Sequence, residues 1–172
     1  MMTRRTLGLG AAGLAGAAGL SKLFGGASEA KTAGNFPVSL SEDQWRKRLT
    51  PEQFRVLRKH GTERAGTSPL NAEKRAGTFV CAACHNPLFR SGAKYESGTG
   101  WPSFFRPITG ALETKRDFKL FWPRTEYHCA RCGGHQGHVF DDGPEPTGQR
   151  YCNNGVALRF VPDGEPLPEL VG

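Results

Sequence analysis

The sequence predicts a mainly β protein built from two antiparallel sheets, arranged as a sandwich or an open barrel, with short helices near the N-terminus. Three observations support this fold class. The 172 residues suit one domain, and 23 Gly with 12 Pro are unusual for a helical bundle. Two capping-box patterns lie near the start of the predicted domain. Short runs of aromatic and branched residues, separated by turn-forming residues, then extend from Thr78 to Val161.

The first 30 residues have the composition of an export signal. Arg4 and Arg5 precede an uncharged stretch of mostly Ala, Gly and Leu that extends from Thr6 to Ser21. This stretch is too short and too weakly apolar for a membrane span, whereas paired arginines before such a run are typical of the twin-arginine route. We therefore predict an exported, periplasmic protein with no stable membrane span after cleavage of residues 1–30. An uncleaved, membrane-anchoring N-terminus is the alternative.

Two short helices are predicted after a linker at residues 31–40. Ser41 and Gln44 form the first capping box, and Thr50 and Gln53 form the second. Gly61 is expected to end the second helix. Strands are then expected at residues 78–80, 118–122, 127–129, 137–140, 150–153 and 156–161. The predicted domain covers residues 41–162, and the Pro-rich tail at 163–172 is expected to be irregular.

Four of the five cysteines have the spacing of a metal site. Cys81 and Cys84 form one Cys-x-x-Cys unit, Cys129 and Cys132 form another, and 44 residues separate the two units. Two such units supply the four thiolates of a tetrahedral zinc site, which leaves no open position for catalysis. We predict one structural Zn²⁺ per chain, with an inserted sheet between the units. Two disulfides, natural in an oxidising compartment, are the alternative.

The fifth cysteine lies among residues that could activate it. Arg150 and Asn154 flank Cys152 two positions away on either side, so they share its face if the segment is a strand. The arginine could stabilise a thiolate. His135 and His138 supply imidazoles that could donate a proton near neutral pH. Each of these residues alone is more often structural, and they form a catalytic site only if the fold brings them together.

Several motifs, in the same order, resemble those of the B-type peptide-methionine-R-sulfoxide reductases. The matching stretches span about residues 40–162 and are Gly61 to Arg64 with Ser68 to Leu70, Cys81 to Cys84, Ser97 to Phe104, Cys132 to Pro144, and Arg150 to Phe160. The resemblance implies two antiparallel sheets with zinc held away from the active site. It also implies an enzyme that reduces methionine-R-sulfoxide in oxidised proteins and peptides.

The resemblance implies a role for each candidate residue. Cys152 would be the nucleophile, whose thiolate attacks the sulfoxide sulfur as the oxygen is protonated and which is left as a sulfenic acid. Trp101 would pack against the S-methyl group of the substrate. The remaining residues would bind and polarise the sulfoxide oxygen (His135 and His138), help to lower the thiol pKa (Arg150) and orient the site (Asn154).

One position departs from the family pattern and bears on the reductant. Many members carry a resolving cysteine where Thr99 stands. With the other four cysteines bound to zinc, no thiol remains to form an internal disulfide with Cys152. We therefore expect a thioredoxin-like protein or another external thiol to reduce the enzyme.

Two other classes of function stay open at this point. A zinc ribbon that binds nucleic acid is one, although residues 31–172 hold 20 Lys and Arg against 15 Asp and Glu without a concentrated basic stripe. We therefore predict no nucleic-acid partner. The other is a structural envelope protein with an inert Cys152.

Overall fold

The computed structural model describes residues 36–118 and 122–172. The predicted export signal and residues 31–35 of the predicted linker lie outside these ranges. Within them, none of the helices has the length and apolar character that crossing a membrane requires.

Two capped helices open the described chain. α1 spans Glu42–Arg48 and α2 spans Pro51–Lys59. Each begins with the capping box that the sequence predicts, because the Ser41 and Thr50 hydroxyls accept hydrogen bonds from backbone N–H groups three residues on. Trp45, Phe54, Val56 and Leu57 form the buried faces of the two helices.

The end of α2 differs from the prediction by one residue. His60, rather than Gly61, adopts the left-handed conformation, with φ 54°. A Cβ at Gly61 would lie 2.9 Å from the carbonyl oxygen of Arg55, so this glycine is explained by close approach to the helix. The turn brings Nδ1 of His60 to 3.1 Å from Oε1 of Glu126, a residue in the six-stranded sheet.

Within the described residues, nine strands form two sheets. Their bounds are β1 Gly77–Cys81, β2 Pro87–Arg90, β3 Lys94–Tyr95, β4 Ser103–Phe104, β5 Leu112–Asp117, β6 Arg124–Cys129, β7 His135–Phe140, β8 Arg150–Asn153 and β9 Leu158–Pro162. One sheet has the order β2-β1-β9, and the other has the order β3-β4-β8-β7-β6-β5. Every pairing is antiparallel, which confirms the predicted fold class.

Two of the predicted strands need correction. The run at 156–161 becomes a strand only at Leu158, because Gly155–Ala157 forms a 3-10 turn. The predicted strand at 118–122 is wrong at both ends, since Phe118 and Trp122 lie outside β5 and β6. Its middle residues, 119–121, lie outside the described ranges.

The chain between the two Cys-x-x-Cys units contributes strands to both sheets. Four of these strands, β2 to β5, are absent from the sequence prediction. β2 pairs with β1 in the three-stranded sheet, whereas β3, β4 and β5 belong to the six-stranded sheet. The insertion is therefore shared between the sheets and does not form a sheet of its own.

The main core lies between the two sheets and fixes β8 from one side. Phe89 of β2 stacks on Phe104 of β4, with 4.1 Å between ring centroids, and Phe79 of β1 meets Phe104 edge-on at 5.0 Å. All three are fully buried. The buried Tyr127 of β6 donates a hydrogen bond from its hydroxyl to Oδ1 of Asn153 at 2.8 Å. This bond fixes Asn153, the last residue of β8, which directly follows Cys152.

Candidate active site and metal site

A pocket of about 140 Å³, called the thiol pocket below, opens beside Cys152 on β8. Four of the six predicted active-site residues line it: Cys152, Trp101, His138 and Asn154. Thr62, Arg124 and Phe140 also contribute to the wall. The structure therefore brings the four predicted residues together, although Trp101 and Asn154 are 53 positions apart in the sequence.

His138 stands directly opposite Cys152 in the register of β7 and β8. Opposite residues of an antiparallel pair point to the same face, with Cβ atoms about 5 Å apart. Burial lowers the pKa of His138, although its contact with Asp117 acts in the other direction; Nε2 of His138 lies 2.7 Å from Oδ2 of Asp117. A partly buried imidazole beside a thiol can accept the thiol proton and pass it on.

Opposing effects act on the thiol of Cys152. Burial raises its pKa above the ordinary value for cysteine, and the charge of Arg150 and a hydrogen bond with Thr99 lower it without cancelling the effect of burial. Arg150 is itself held by Asp142, with Nε to Oδ1 and Nη2 to Oδ2 distances of 2.8 Å. Arg150 is outside the wall of the thiol pocket and acts on the thiol through its charge and a hydrogen bond.

Glu63 connects two sides of the thiol pocket, and the sequence analysis did not single it out as functional. Its backbone N–H donates to Oδ1 of Asn154 at 2.8 Å, and its carbonyl oxygen accepts from Nε1 of Trp101 at 2.9 Å. The buried carboxylate accepts from the backbone N–H groups of Gly155 at 2.6 Å and Val156 at 3.3 Å. Burial raises the pKa of Glu63, whereas these hydrogen bonds from Gly155 and Val156 act to lower it. The sequence feature that points to Glu63 is its place in the Gly61 to Arg64 motif.

His135 lies behind the thiol pocket and is absent from its wall. Its ring centroid is 5.5 Å from that of His138, and its Nδ1 is 2.8 Å from Oε1 of Glu126. His60 approaches the same oxygen, and Nζ of Lys115 lies 3.4 Å from Oε2. Burial raises the pKa of Glu126, but the hydrogen bonds with His135 and His60 outweigh it, and the pKa is lowered overall. His135 can therefore support His138 from behind.

Asp117 and Arg124 are further residues of the site that sequence reasoning missed. Nη2 of Arg124 donates to Oδ2 of Asp117 at 2.8 Å, so this carboxylate contacts both the arginine and His138. The two residues end β5 and begin β6, on either side of the segment at 118–122. Neither residue belongs to one of the sequence motifs described above. Their contacts join neighbouring strands, Asp117 of β5 to Arg124 of β6 and to His138 of β7, so they form only once the sheet has assembled.

The four remaining cysteines converge in a buried cluster that could hold a metal ion. The Sγ atoms of Cys81 and Cys132 are 3.8 Å apart, and those of Cys84 and Cys129 are 3.5 Å apart. All four are free thiols. A disulfide requires about 2.05 Å between sulfur atoms, whereas sulfur ligands at about 2.3 Å from a tetrahedral metal lie roughly 3.8 Å from one another. The spacing therefore fits a metal and not the two disulfides considered as the alternative.

A turn and two side-chain amides fix the positions of the cysteine residues in this cluster. Gly133 takes the left-handed conformation, with φ 64°, and its N–H donates to the carbonyl oxygen of Cys129 at 2.9 Å. The side-chain amide of Gln136 donates to Sγ of Cys81 at 3.4 Å, and that of Asn86 donates to Sγ of Cys129 at 3.6 Å. Such contacts with ligand atoms orient and stabilise metal ligands.

His60, Glu126 and His135 form a second group whose ligand atoms lie close together. Oε1 of Glu126 already contacts both imidazoles, and its other oxygen faces Lys115. The carboxylate is therefore satisfied by these neighbours without an ion.

Comparison with known proteins agrees with the motifs around both sites. The SelR domain family matches residues 49–162. A peptide methionine sulfoxide reductase MsrB of Leptospira interrogans is 52% identical over 127 residues, which cover 73% of this chain and 97% of the relative. MsrB of Agrobacterium fabrum is 52% identical over 126 residues, covering 73% and 93%. The chloroplastic peptide methionine sulfoxide reductase B1 of Arabidopsis thaliana is 53% identical over 124 residues, covering 72% and 61%.

The SelR match at residues 49–162 spans the two Cys-x-x-Cys units, the wall of the thiol pocket and Cys152 itself. The chain therefore belongs to the SelR-domain family of MsrB-type peptide methionine sulfoxide reductases.

Proposed function

We propose that this protein reduces methionine-R-sulfoxide in proteins to methionine, with Cys152 as the nucleophile. The observation that carries the proposal is the thiol pocket, in which Cys152 stands opposite His138 and beside Trp101. The names of the relatives support the same reaction class. A zinc ribbon that binds nucleic acid and an inert structural protein are not favoured, because neither accounts for a thiol and an imidazole paired in a pocket.

The proton needed for the reaction comes from the thiol itself. Burial raises the pKa of Cys152 and lowers that of His138, which favours the neutral thiol and the neutral imidazole in the resting pair. Transfer of the thiol proton to His138 produces a thiolate and an imidazolium. The thiolate attacks the sulfoxide sulfur while the imidazolium gives the proton to the sulfoxide oxygen. The hydroxyl group then passes from the substrate sulfur to the cysteine sulfur as the bond between the two sulfur atoms breaks, which releases methionine and leaves Cys152 as a sulfenic acid. The substrate sulfur is reduced and the thiol sulfur is oxidised.

Other side chains of the site bind and orient the substrate. Trp101, fixed by its hydrogen bond to the Glu63 carbonyl oxygen, offers an aromatic wall to the S-methyl group. Asn154 is held between Glu63 and the carbonyl oxygen of Gln136 and keeps the end of β8 in place. Arg150 stabilises the thiolate, and His135 supports the ring of His138.

An external thiol completes the catalytic cycle. Thr99, which lowers the pKa of Cys152, stands at the position where many family members carry a resolving cysteine, and the four other cysteines are buried in the metal cluster. An incoming thiol attacks the sulfenic acid, which releases water and forms a mixed disulfide. A second thiol then breaks this disulfide and regenerates Cys152. A thioredoxin-like protein supplies both thiols.

We assign zinc to the four-cysteine cluster. Four thiolates with tetrahedral spacing are the donor set that Zn²⁺ prefers in structural sites. Because all four positions are filled by protein sulfur, the ion would stabilise the fold and take no part in the reaction.

We also propose that residues 1–30 direct export to the periplasm by the twin-arginine route. The support is Arg4 and Arg5 before an uncharged run of small and apolar residues. Since this route carries folded proteins, the zinc ion can be bound before export and protect its thiols from oxidation.

A single-turnover assay tests the proposed reaction. The protein, without added reductant, receives an excess of R- or S-methionine sulfoxide in a blocked peptide. We expect about one equivalent of methionine from the R epimer, none from the S epimer, and a sulfenic acid on Cys152 that reacts with dimedone. The Cys152→Ser variant should form no methionine, while its zinc content and circular dichroism spectrum remain those of the wild type.

Three results would contradict parts of this proposal. Full methionine yield from Cys152→Ser would exclude Cys152 as the nucleophile. An internal disulfide in place of the sulfenic acid would contradict the proposal that no second cysteine of the chain resolves the sulfenic acid. No methionine from either epimer, with the fold and zinc intact, would exclude the reaction itself.

A further inference from the structure

Two aromatic side chains stand out among the described residues because they are exposed. Phe118 is 74% exposed and Trp122 is 81% exposed. The other large apolar side chains that the structure describes as exposed, Leu167 and Leu170, are in the C-terminal tail. Large aromatic rings are among the side chains that contribute most to binding when they become covered. The two rings are therefore candidates for contact with a binding partner.

These two residues are close in the chain to residues of the thiol pocket. Phe118 directly follows Asp117, whose Oδ2 lies 2.7 Å from Nε2 of His138. Trp122 precedes the wall residue Arg124 by two positions, so their Cα atoms are at most about 7 Å apart. Phe118 and Trp122 are thus each within two positions of a residue that lines the thiol pocket or contacts its wall, at the ends of β5 and β6.

The size of the thiol pocket places most of a polypeptide substrate outside it. The volume of about 140 Å³ is close to that of a cavity of about 150 Å³ that holds one benzene molecule. The pocket can take one methionine sulfoxide side chain. The residues before and after it in the substrate must therefore cross the rim, where Phe118 and Trp122 are available.

The chemistry of oxidised proteins indicates which residue types flank the methionine sulfoxide of a polypeptide substrate. Methionine is one of the residue types most often buried, and its oxidation makes a polar side chain that disrupts apolar cores. An oxidised methionine released from a core is accordingly surrounded by apolar neighbours. The β5–β6 rim suits such neighbours, because its acidic residue, Asp117, is already engaged by Arg124 and His138.

We propose that Phe118 and Trp122 form a docking surface for apolar residues next to the oxidised methionine of a polypeptide substrate. The inference rests on the proposed reductase function and adds a preference to it. Free methionine sulfoxide fills the thiol pocket alone and gains nothing from the two rings. A peptide with apolar flanks contacts both the pocket and the docking surface.

Kinetics with matched substrates test this surface. The variants Trp122→Ala and Phe118→Ala are assayed with dithiothreitol as reductant on three substrates, all as R epimers: N-acetyl methionine sulfoxide, a peptide with Leu and Phe flanks, and a peptide with Gly flanks. We expect kcat/KM for the apolar-flanked peptide to fall about tenfold, the effect of losing an aromatic contact in an interface. The other two substrates should change less than about twofold. Leu167→Ala, which removes an exposed apolar side chain of the tail, should change none of the three.

Four outcomes would overturn the inference. Unchanged kinetics on the apolar-flanked peptide would show that the rings do not bind substrate. An equal loss on all three substrates would show that the variants act on the thiol pocket. Loss of binding to phosphatidylglycerol vesicles by Trp122→Ala, with unchanged peptide kinetics, would assign the rings to a membrane surface. Failure of the wild type to reduce any substrate would remove the proposed function, and this surface with it.

Discussion

The reactivity of a single thiol depends here on a few charges and hydrogen bonds. Burial raises the pKa of Cys152, and this effect outweighs the charge of Arg150 and the hydrogen bond with Thr99, both of which lower it. Asp142 holds Arg150 in place by two hydrogen bonds, yet its own negative charge raises the thiol pKa. Arg150 therefore has two separable properties: its positive charge, and its geometry as fixed by the carboxylate.

Removing that charge should make the thiol harder to ionise. In Arg150→Met, the thiolate loses a favourable charge, so the pKa of Cys152 should rise further and less thiolate should be present at neutral pH. Thr99→Val removes only one hydrogen bond and should raise the thiol pKa less. The measurement is the rate of alkylation by iodoacetamide against pH, with Arg150→Lys as the control that retains the charge. A profile for Arg150→Met that moves to lower pH would contradict the role assigned to Arg150.

At the scale of elements, Glu63 joins three segments that form the thiol pocket. These are the loop after α2, the turn that carries Trp101, and the 3-10 turn at Gly155–Ala157. The turn before Trp101 relies on Gly98 and Gly100, whose φ angles of 72° and 87° suit glycine. The carboxylate of Glu63 caps the 3-10 turn, since two backbone N–H groups point at one oxygen.

Glu63→Ala should weaken both the fold and the site. The buried N–H of Gly155 would lose its partner, which costs about 1–3 kcal/mol of folding free energy for an unsatisfied buried donor. Because Asn154 and Trp101 are held through the Glu63 backbone, kcat/KM should fall as well. Urea unfolding and steady-state kinetics measure the two effects. Glu63→Gln retains an oxygen acceptor and should recover most of the stability, and equal loss in both variants would contradict the capping role.

The sequence predicts some elements better than others, for physical reasons. Capping boxes are local patterns, so both helix starts are found, and β1, β6, β7 and β8 are found because each contains a run of branched or aromatic residues. β3 and β4 have only two residues each, and β5 is largely exposed and charged, so no apolar alternation marks them. Glu63 and Gly155 are 92 positions apart, and a contact of this separation exists only once the sheets have formed.

The metal cluster and the thiol pocket are linked at the scale of the whole molecule. Gln136 donates from its side chain to Sγ of Cys81, and its carbonyl oxygen accepts from the backbone N–H of Asn154 at 2.8 Å and from Nδ2 of Asn154 at 2.9 Å. Gln136 is fully buried. A change at the sulfur atoms can therefore reach the wall of the thiol pocket through one residue.

Loss of the metal should therefore inactivate the protein even though Cys152 is unchanged. Structural zinc contributes about 10–16 kcal/mol to folding in small zinc peptides, as much as the whole stability of about 5–15 kcal/mol that a domain has. We expect Cys81→Ser to lose zinc, to unfold at a much lower temperature and to give no methionine in single turnover. Cys152→Ser, with zinc content and unfolding temperature unchanged, is the matched control.

A second variant separates the link from the stability of the fold. Gln136→Leu keeps all four cysteines, so it should retain zinc while kcat/KM falls, because Leu can neither donate to the Cys81 sulfur nor accept from Nδ2 of Asn153, the wall residue next to Asn154. Zinc content is measured by atomic absorption, alongside thermal unfolding. Unchanged metal content in Cys81→Ser would refute the cluster as the zinc site. Wild-type kinetics in Gln136→Leu would show that the two sites are independent, and that the zinc ion serves the active site only by keeping the chain folded.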